Sequence, residues 1–394
     1  MGDLSSLVTK SFLHKAWEKS AFKQLTEIQK KAIPLILERK DVMAESPTGT
    51  GKTLAYVIPV LETITNDSKN VEAVILAPSR ELVMQINDVI QQWSEGSSMT
   101  SATLIGGANI KRQIERLKSH PKVIVGTPGR ILELIKAKKL KMHEVKTIVL
   151  DEGDQLLISE HQESIELIIR TTMKDRQLVM FSATLPESTL KIGRTLMDNP
   201  ILIQSGTTEN NVEHLYILAD KRDKPEIVRK LVKGQPMTAL LFARDIGNLN
   251  VLSQRLNYKG VEHRVLHSES TKQERVDAIR NFRKGTHSLL LATDIAARGL
   301  DIHNVSHVIH YDVSKDSTQY THRSGRTGRM GASGTVISIV TKSEEKKLKK
   351  IAHHLNISVK EKILYKGKLT NQQQKNVNKR KPHKKTKHSR NAKK

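Results

Sequence analysis

The chain has 394 residues, of which 37% are hydrophobic and none is cysteine, so it can bury substantial cores but cannot form disulfides or thiolate metal sites. Its formal charge of +25 favours a polyanionic partner, either nucleic acid or an anionic membrane surface. The N-terminus lacks the apolar core of a secretory signal, and no apolar run approaches the ~18 residues of a membrane span. We therefore expect a soluble, intracellular protein of two to three domains.

Short apolar runs in the first half of the chain indicate buried strands. Amphipathic stretches of helical length separate them, and the runs are 73–78, 123–128, 147–152 and 178–184. Because these runs are continuous rather than alternating, both faces should be buried, which is typical of a mostly parallel sheet covered by helices. The predicted fold class is therefore α/β.

A second series of the same kind follows, at 238–243, 287–294, 307–312 and 334–340. The polar segment 204–214 lies between the two series and is predicted to be a linker. We therefore predict two lobes, residues 1–205 and 206–362. Polar residues end many of the strands, which places the function at the cleft between the lobes.

Residues 363–394 are predicted to form a disordered basic tail, since from Lys366 onward there are twelve Lys or Arg and no Asp or Glu. Such a segment should attract nucleic acid electrostatically, with a merely solubilising role as the alternative. The basic stretch 343–355 before it carries an apolar stripe and is predicted to be the last helix of the second lobe, rather than a membrane-surface helix.

The segment SPTGTGKT, residues 46–53, fits the phosphate-loop template G-x-x-x-x-G-K-[ST] except at its first position. Its glycines would let backbone amides approach phosphates, its lysine would reach the β and γ phosphates, and Thr53 would coordinate Mg²⁺. An ordinary glycine-rich turn is the alternative. The predicted nucleotide-binding residues here are Ser46, Pro47, Thr48, Gly49, Thr50, Gly51, Lys52 and Thr53.

An acidic stretch, Asp151-Glu152-Gly153-Asp154, ends the strand at 147–152. Alone it would be read as a solvated turn. Behind a phosphate loop in the same lobe, Asp151 is predicted to hold Mg²⁺, and Glu152 to orient or deprotonate the attacking water.

Together these motifs resemble those of the DEAD-box ATP-dependent RNA helicases of superfamily 2, over about residues 10 to 350, and look most like small bacterial members. The resemblance implies two RecA-like lobes, ATP and Mg²⁺ as cofactors, and RNA-stimulated ATP hydrolysis coupled to local unwinding of RNA or remodelling of ribonucleoproteins. It implies single-stranded and short duplex RNA as partners, bound through the backbone. The basic tail would then bind structured RNA or ribonucleoprotein. A cytoplasmic monomer without a membrane partner is expected.

The resemblance also assigns residues around the nucleotide. Gln29 would read the adenine, Phe12 would pack on the base, and Asp301 would contact the ribose. Arg326 and Arg329 lie three apart and could enter the γ-phosphate region as arginine fingers. The alternative for this pair is an RNA-contacting or surface role.

Two further groups are implied by the resemblance. Residues that would couple hydrolysis to lobe closure are Asp154, Ser182, Ala183, Thr184 and His322. Residues that would bind RNA are Arg80, Gly107, Thr127, Gly129, Arg130, Thr293 and Arg298. Several of these offer amides, a hydroxyl and guanidinium groups, which suit phosphate contacts and predict little sequence specificity.

The sequence departs from the family pattern at a few positions. Gly153 replaces the alanine of the name motif, Leu25 and Glu27 replace prolines beside the threonine of the Gln29 motif, and Lys272 replaces a glutamine three residues before Arg275. Two other readings stay open: an ATP-gated RNA clamp or assembly platform with little hydrolysis, and a DNA helicase. Ribosome assembly, RNA decay and cold adaptation are all expected settings.

Overall fold

A computed structural model gives the fold and describes residues 4–65, 69–205, 211–286, 288–297, 305–328 and 332–371. Within these ranges the chain forms two α/β lobes, each built on a seven-stranded sheet. The predicted α/β class with mostly parallel sheets is confirmed.

The first lobe opens with a 3₁₀ turn at Leu4–Ser6 and ends before residue 206. Its strands are β1 Val42–Glu45, β2 Ala73–Leu76, β3 Ser101–Leu104, β4 Val123–Gly126, β5 Thr147–Asp151, β6 Gln177–Ser182 and β7 Ile201–Gln204. Its helices are α1 Ser11–Lys19, α2 Glu27–Leu37, α3 Lys52–Thr63, α4 Arg80–Trp93, α5 Ile110–Leu117, α6 Pro128–Lys136, α7 Gly153–Leu156, α8 Ser159–Arg170 and α9 Glu187–Leu196. The strands are parallel, in the order β3-β4-β2-β5-β6-β1-β7.

The second lobe repeats this plan. Its strands are β8 Val212–Leu218, β9 Ala239–Ala243, β10 Arg264–Leu266, β11 Leu289–Thr293, β12 His307–His310, β13 Gly334–Val340 and β14 Val359–Glu361. Its helices are α10 Lys224–Gly234, α11 Ile246–Tyr258, α12 Lys272–Arg283, α13 Asp294–Ala297, α14 Ser317–Ser324 and α15 Lys342–His354. The parallel order is β10-β11-β9-β12-β13-β8-β14.

Each sheet is buried on both faces because its central strands are apolar at most positions. In β2, Ala73 and Ile75 belong to one core, while Val74 and Leu76 belong to the other. Side chains alternate across a strand, so continuous apolar runs feed two cores at once. The same division holds in β9, where Leu240 and Leu241 face different cores. Because the strands of each lobe are parallel, their carboxyl ends all lie at the same edge of the sheet.

The prediction that a disordered tail begins at residue 363 is wrong at its start. Two more strands, β15 Ile363–Tyr365 and β16 Lys368–Thr370, form an antiparallel hairpin. Its turn is Lys366-Gly367, both at positive φ, and Leu364 and Leu369 pack against a core of the second lobe. Apolar burial on one face outweighs the basic composition of this stretch. Residues 372–394 lie outside the described ranges.

The predicted linker lies between the last strand of the first lobe and the first strand of the second lobe. Strand β7 ends at Gln204 and β8 begins at Val212, while 206–210 lie outside the described residues. The division at 205/206 therefore stays a prediction. Within the described ranges, no helix is at once long and apolar enough to cross a bilayer.

Candidate functional site

The phosphate loop joins β1 to α3 at the carboxyl edge of the first sheet. Gly51, the residue before α3, has φ 92°, and a Cβ there would lie 2.5 Å from Nε2 of Gln29. Gln29 donates from Nε2 to the Gly51 carbonyl at 3.1 Å and accepts from the Thr26 backbone amide at 2.9 Å. Only glycine fits this crowded, left-handed position. The start of α2 is thereby fixed against the loop.

Lys52 points back over the loop that precedes it. Its Nζ donates to the carbonyl of Ser46 at 2.6 Å and to that of Pro47 at 3.2 Å. Burial lowers the pKa of the ammonium, and the carboxylates of Asp151 and Glu152 oppose this shift. The lysine therefore stands between a loop of backbone dipoles and an acidic turn.

The serine at the first template position ties the loop to the linker. Ser46 is fully buried, its Oγ lies 2.6 Å from Oγ1 of Thr50, and the Ser205 hydroxyl donates to it at 2.7 Å. A glycine in this place would have no hydroxyl for either contact. The departure from the template is thus a contact between the phosphate loop and the residue that follows β7.

The loop also touches the second lobe. The Thr48 hydroxyl donates to the carbonyl of Gly325 at 2.7 Å, just beyond α14. A Cβ on Gly325 would lie 2.0 Å from Oγ1 of Thr48, so the close approach of the lobes requires glycine here. Ala183 and Thr184 line the same interlobe cleft.

Asp151 ends β5 and is nearly fully buried. Burial and the neighbouring Glu152 carboxylate raise its pKa to about 6, against the hydrogen bond from Tyr56 and the charge of Lys52. The Tyr56 hydroxyl donates to Oδ2 of Asp151 at 2.8 Å and is also hydrogen-bonded to the side chain of Thr53. The two predicted Mg²⁺ ligands are therefore connected by one buried hydroxyl.

Glu152 occupies a left-handed backbone conformation, with φ 56° and ψ 52°. For a residue with a side chain this costs about 1–2 kcal/mol, which the surrounding contacts must offset. Its amide donates to Oδ1 of Asp151 at 3.0 Å, and Gln155 donates from Nε2 to the Glu152 carboxylate at 2.8 Å. The strained turn aims the carboxylate away from the strand, and Gln155 holds it.

Asp154 joins the predicted coupling residues. Its Oδ2 accepts from the Thr184 hydroxyl and from Nε2 of His322, both at 2.7 Å, and its amide donates to Oγ of Ser182 at 3.2 Å. Burial would raise its pKa, but the hydrogen bonds, led by that of His322, hold the pKa below its ordinary value. Because His322 lies on α14, this carboxylate connects the two lobes.

The arginines after His322 divide into two kinds. Arg323 is buried and bidentate, with Nε and Nη2 each 2.6 Å from the Asp294 carboxylate, so it holds α14 against α13. Arg326 is also buried, lines the cleft beside Asp154, and acts electrostatically on Lys52. Of the predicted finger pair, Arg326 therefore faces the nucleotide region.

The predicted RNA-binding residues of the first lobe gather at one edge of its sheet. A Cβ on Gly107, which has φ 71°, would lie 2.3 Å from a terminal guanidinium nitrogen of Arg80. Arg130 donates to the carbonyl of Ala108 at 3.2 Å, while Thr127 precedes the first residue of α6. Helix N-termini and arginines there form a natural cradle for anions.

Five more residues were predicted to act on RNA or the nucleotide. A Cβ on Gly129 would meet open space, and Thr293 is buried at the end of β11. Arg298, Asp301 and Arg329 lie outside the described residues. Their predicted roles therefore stay predictions.

The described contacts of Phe12 lie at the far end of α3, so its predicted place at the adenine stays a prediction. Phe12 lies beside Lys10 and Met99, and Lys10 donates to the carbonyl of Leu61 near the far end of α3. Since α3 has 12 residues, that end is about 18 Å from the phosphate loop. The exposed aromatic nearest in sequence to Gln29 is Phe22, seven residues before it.

Sequence reasoning missed three residues of the site. Tyr56 follows Lys52 by one helical turn and is the polar side chain within the apolar run of α3, a signal that could have found it. Gln155 lies three residues after Glu152 on α7. Glu81 contacts Nε of Arg275 across the lobes at 2.9 Å, beside Arg80, and no sequence signal pairs residues so distant.

The described site therefore combines a phosphate loop, three carboxylates, an arginine from the opposite lobe and a separate anion-binding edge. Comparisons with known proteins agree with this arrangement. The DEAD/DEAH box helicase family matches residues 26–192, and the Helicase conserved C-terminal domain matches residues 223–331.

Two curated relatives resemble the chain over nearly its whole length. One is the Bacillus subtilis protein named probable ATP-dependent RNA helicase YfmL, 55% identical over 91% of this chain and 96% of that protein. The other is the DEAD-box ATP-dependent RNA helicase CshC of Bacillus cereus, 49% identical over 94% of this chain and 96% of that protein.

Solved structures share the arrangement of both lobes. S. cerevisiae Dbp5 bound to RNA and ADP BeF3 matches with a TM-score of 0.84 at 30% identity, covering 92% of this chain and 95% of that one. Mss116p bound to ssRNA and AMP-PNP matches with a TM-score of 0.82 at 27% identity, covering 91% and 78%.

Proposed function

The chain belongs to the DEAD-box family of ATP-dependent RNA helicases, and from this premise we propose that it remodels RNA with ATP and Mg²⁺ bound across its interlobe cleft. It is an enzyme that hydrolyses ATP. The observation that carries the proposal is the contact between Asp154 and His322, which joins the acidic turn to the second lobe at 2.7 Å.

The nucleotide site fits ATP by its donor set. Gly51 leaves no room for a Cβ, the N-terminus of α3 points into the loop, and Lys52 and Arg326 approach from the two lobes. Backbone amides and two cations at such a cradle suit phosphate oxygens. We assign Gln29 to the adenine and place Phe22, rather than Phe12, as the aromatic that packs on it.

The metal site fits Mg²⁺ by its oxygen ligands. Thr53 and Asp151 would hold the ion, and Mg²⁺ would supply charge neutralisation at the β and γ phosphates. Tyr56 orients both ligands, because its one hydroxyl is bonded to each.

Glu152 is the residue assigned to the attacking water. Its left-handed backbone and the hydrogen bond from Gln155 fix the carboxylate at the cleft, where it can take a proton from water. Arg326, supported by Arg329, stabilises the charge that develops at the γ phosphate. Hydrolysis therefore needs both lobes together.

Coupling follows from the shared acidic turn. Asp154 touches Ser182 and Thr184 in the first lobe and His322 in the second, two residues from Glu152. Separating the lobes would remove the His322 contact and disturb the turn that carries the hydrolytic carboxylates. We infer that RNA, by holding the lobes together, stimulates hydrolysis, and that hydrolysis releases the clamp.

On the RNA side, Arg80 with Gly107 and Arg130 with Ala108 present cations and amides to a phosphate backbone. Aromatic residues are 3% of the chain, which disfavours a base-stacking platform. We propose backbone recognition with little sequence preference, local melting of short duplexes, and a cytoplasmic monomer. Ribosome assembly, RNA decay and cold adaptation are the proposed settings.

The test compares phosphate release by the full-length protein with single-stranded RNA and with DNA of the same sequence. We expect stimulation by RNA and little by DNA. Equal stimulation by both would favour a DNA helicase or translocase, while no stimulated turnover would favour an ATP-gated clamp.

Replacing Tyr56 by Phe tests the metal site. Loss of the hydroxyl leaves Thr53 and Asp151 without their shared partner, so we expect nucleotide binding to need roughly 10-fold more Mg²⁺. Fluorescent ADP titrated with Mg²⁺ measures this without turnover. Unchanged Mg²⁺ dependence would show that Tyr56 only packs, and Tyr258→Phe, at an exposed position, is the control.

A further inference from the structure

The outer face of α15 is a row of cations. Lys342, Lys346, Lys349, Lys350 and His353 are all exposed. They follow the spacing i, i+4, i+7, i+8 and i+11, which places them on one side of the helix over three turns. The opposite side, with Leu348, Ile351 and Ala352, is buried in the core of the second lobe.

Both carboxylates of this helix are turned inward. Glu344 is 17% exposed and pairs with the buried Lys224 at 3.0 Å. Glu345 is 7% exposed and pairs with Lys342 at 2.8 Å and Lys349 at 2.6 Å. The helix therefore shows solvent a face of lysines, of which Lys342 and Lys349 are paired with the buried Glu345.

This face also lies away from Thr293, the described RNA-binding candidate of the second lobe. Helix α15 connects β13 to β14, and β8 lies between those strands. Thr293 is the last residue of β11. Four strand spacings separate β8 from β11, a distance of about 19 Å. A single strand bound along the cleft motifs leaves α15 free for another part of the same RNA.

The chain also leaves the described fold at this edge. Lys362, just after β14, donates to the Asn371 side chain at 2.8 Å, so residue 371 lies beside the edge strand. The sequence from 372 to 394 holds ten Lys or Arg and no Asp or Glu. The basic segment therefore follows the β14 edge, while the hairpin before it packs on the sheet face opposite to α15.

An anionic membrane is the other polyanion to weigh. Helices that lie in a membrane surface insert an apolar face beside their cations. In α15 that apolar face is already buried in the lobe, and the outer row has no apolar side chain. Charge alone suits a dense line of phosphates such as an RNA duplex.

We propose that the outer face of α15 is a second RNA-binding surface, which holds the phosphate backbone of a duplex while a single strand occupies the cleft. The proposal rests on the proposed function as an RNA helicase. It assigns this chain a preference for a single strand flanked by a duplex over the single strand alone.

The experiment uses the full-length variant Lys346→Glu/Lys350→Glu and, as control, Lys136→Glu/Lys139→Glu at exposed positions of the first lobe. Affinity for a duplex with a single-stranded overhang is measured against salt. Losing two phosphate contacts should lower the slope of log affinity against log salt by roughly 1.4 to 1.8. Affinity for the overhang strand alone, and ATP hydrolysis stimulated by it, should not change.

An equal fall in slope for the control, or for the single strand, would overturn the proposal, since general electrostatics would then explain both. An unchanged slope would mean that the lysines are only a solvated face. Binding of phosphatidylserine vesicles, lost in the α15 variant while duplex affinity is kept, would assign the face to membranes instead. If single-stranded RNA does not stimulate ATP hydrolysis by the unaltered protein, the helicase function itself is contradicted.

Discussion

Replacing Glu152 by Gln is expected to lower RNA-stimulated ATP hydrolysis by at least about 10²-fold while ATP binding is kept. The amide cannot accept a proton from water, yet it has nearly the shape of the carboxylate. Its hydrogen bond with Gln155 can be kept by rotating the amide, so the strained turn at φ 56° should persist. The change therefore removes chemistry and leaves the cleft in place.

Phosphate release measures the rate, and binding of a fluorescent nucleotide measures the site. Glu160→Gln makes the same substitution at an exposed position of α8 and should turn over like the unaltered protein. Equal turnover in Glu152→Gln and Glu160→Gln would show that Glu152 has no role in hydrolysis. It would favour an RNA clamp that ATP binding controls without hydrolysis.

Replacing Gly153 by Ala should destabilise the first lobe by about 1–3 kcal/mol, because the position is overpacked. A Cβ at Gly153 would lie 2.4 Å from Cγ and 2.5 Å from Sδ of the buried Met180. Inside an unstrained helix, alanine would otherwise be favoured by roughly 0.5–1 kcal/mol. The side chain of Met180 therefore decides whether Gly153→Ala stabilises or destabilises the first lobe.

Met180 is fully buried and its Cε lies close to Gly193, where an added Cβ would be 3.2 Å from it, so its side chain has little room to move. Urea unfolding of Gly153→Ala, Met180→Val and the double variant measures the coupling. We expect the double variant to be more stable than the sum of the two single changes predicts, since valine leaves space for the methyl. A stable Gly153→Ala protein with ordinary turnover would mean that Met180 repacks and the glycine is a tolerated variation.

The sequence was sufficient to predict the sheets, since continuous apolar runs are typical of buried parallel strands. It was also sufficient to predict the acidic turn, since the phosphate-loop motif at 46–53 implies a carboxylate at the end of another strand. It could not place Phe12, because the sequence does not say at which end of α3 the separate helix α1 docks. The hairpin at 363–370 had a signal, Lys366-Gly367 between apolar residues, which the basic charge of the region obscured.

Two contacts between the lobes had no signal in the sequence. Thr48 with Gly325, and Glu81 with Arg275, join residues about 200 or more positions apart, and each requires knowing how two folded lobes face one another. The hairpin also determines where a truncation of the basic tail can end. A truncation that tests the basic segment should end after Asn371, because ending after Leu364 would remove β16 and expose apolar surface.

The phosphate loop is bonded to the linker through Ser46 and Ser205, and to the second lobe through Thr48 and Gly325. Its shape and the orientation of the lobes therefore cannot vary independently. Since coupling between two binding sites is reciprocal, the factor by which ATP tightens RNA binding must equal the factor by which RNA tightens ATP binding. Substitutions at these two hydroxyl contacts could change the coupling free energy between ATP and RNA binding without changing a charge that contacts either ligand.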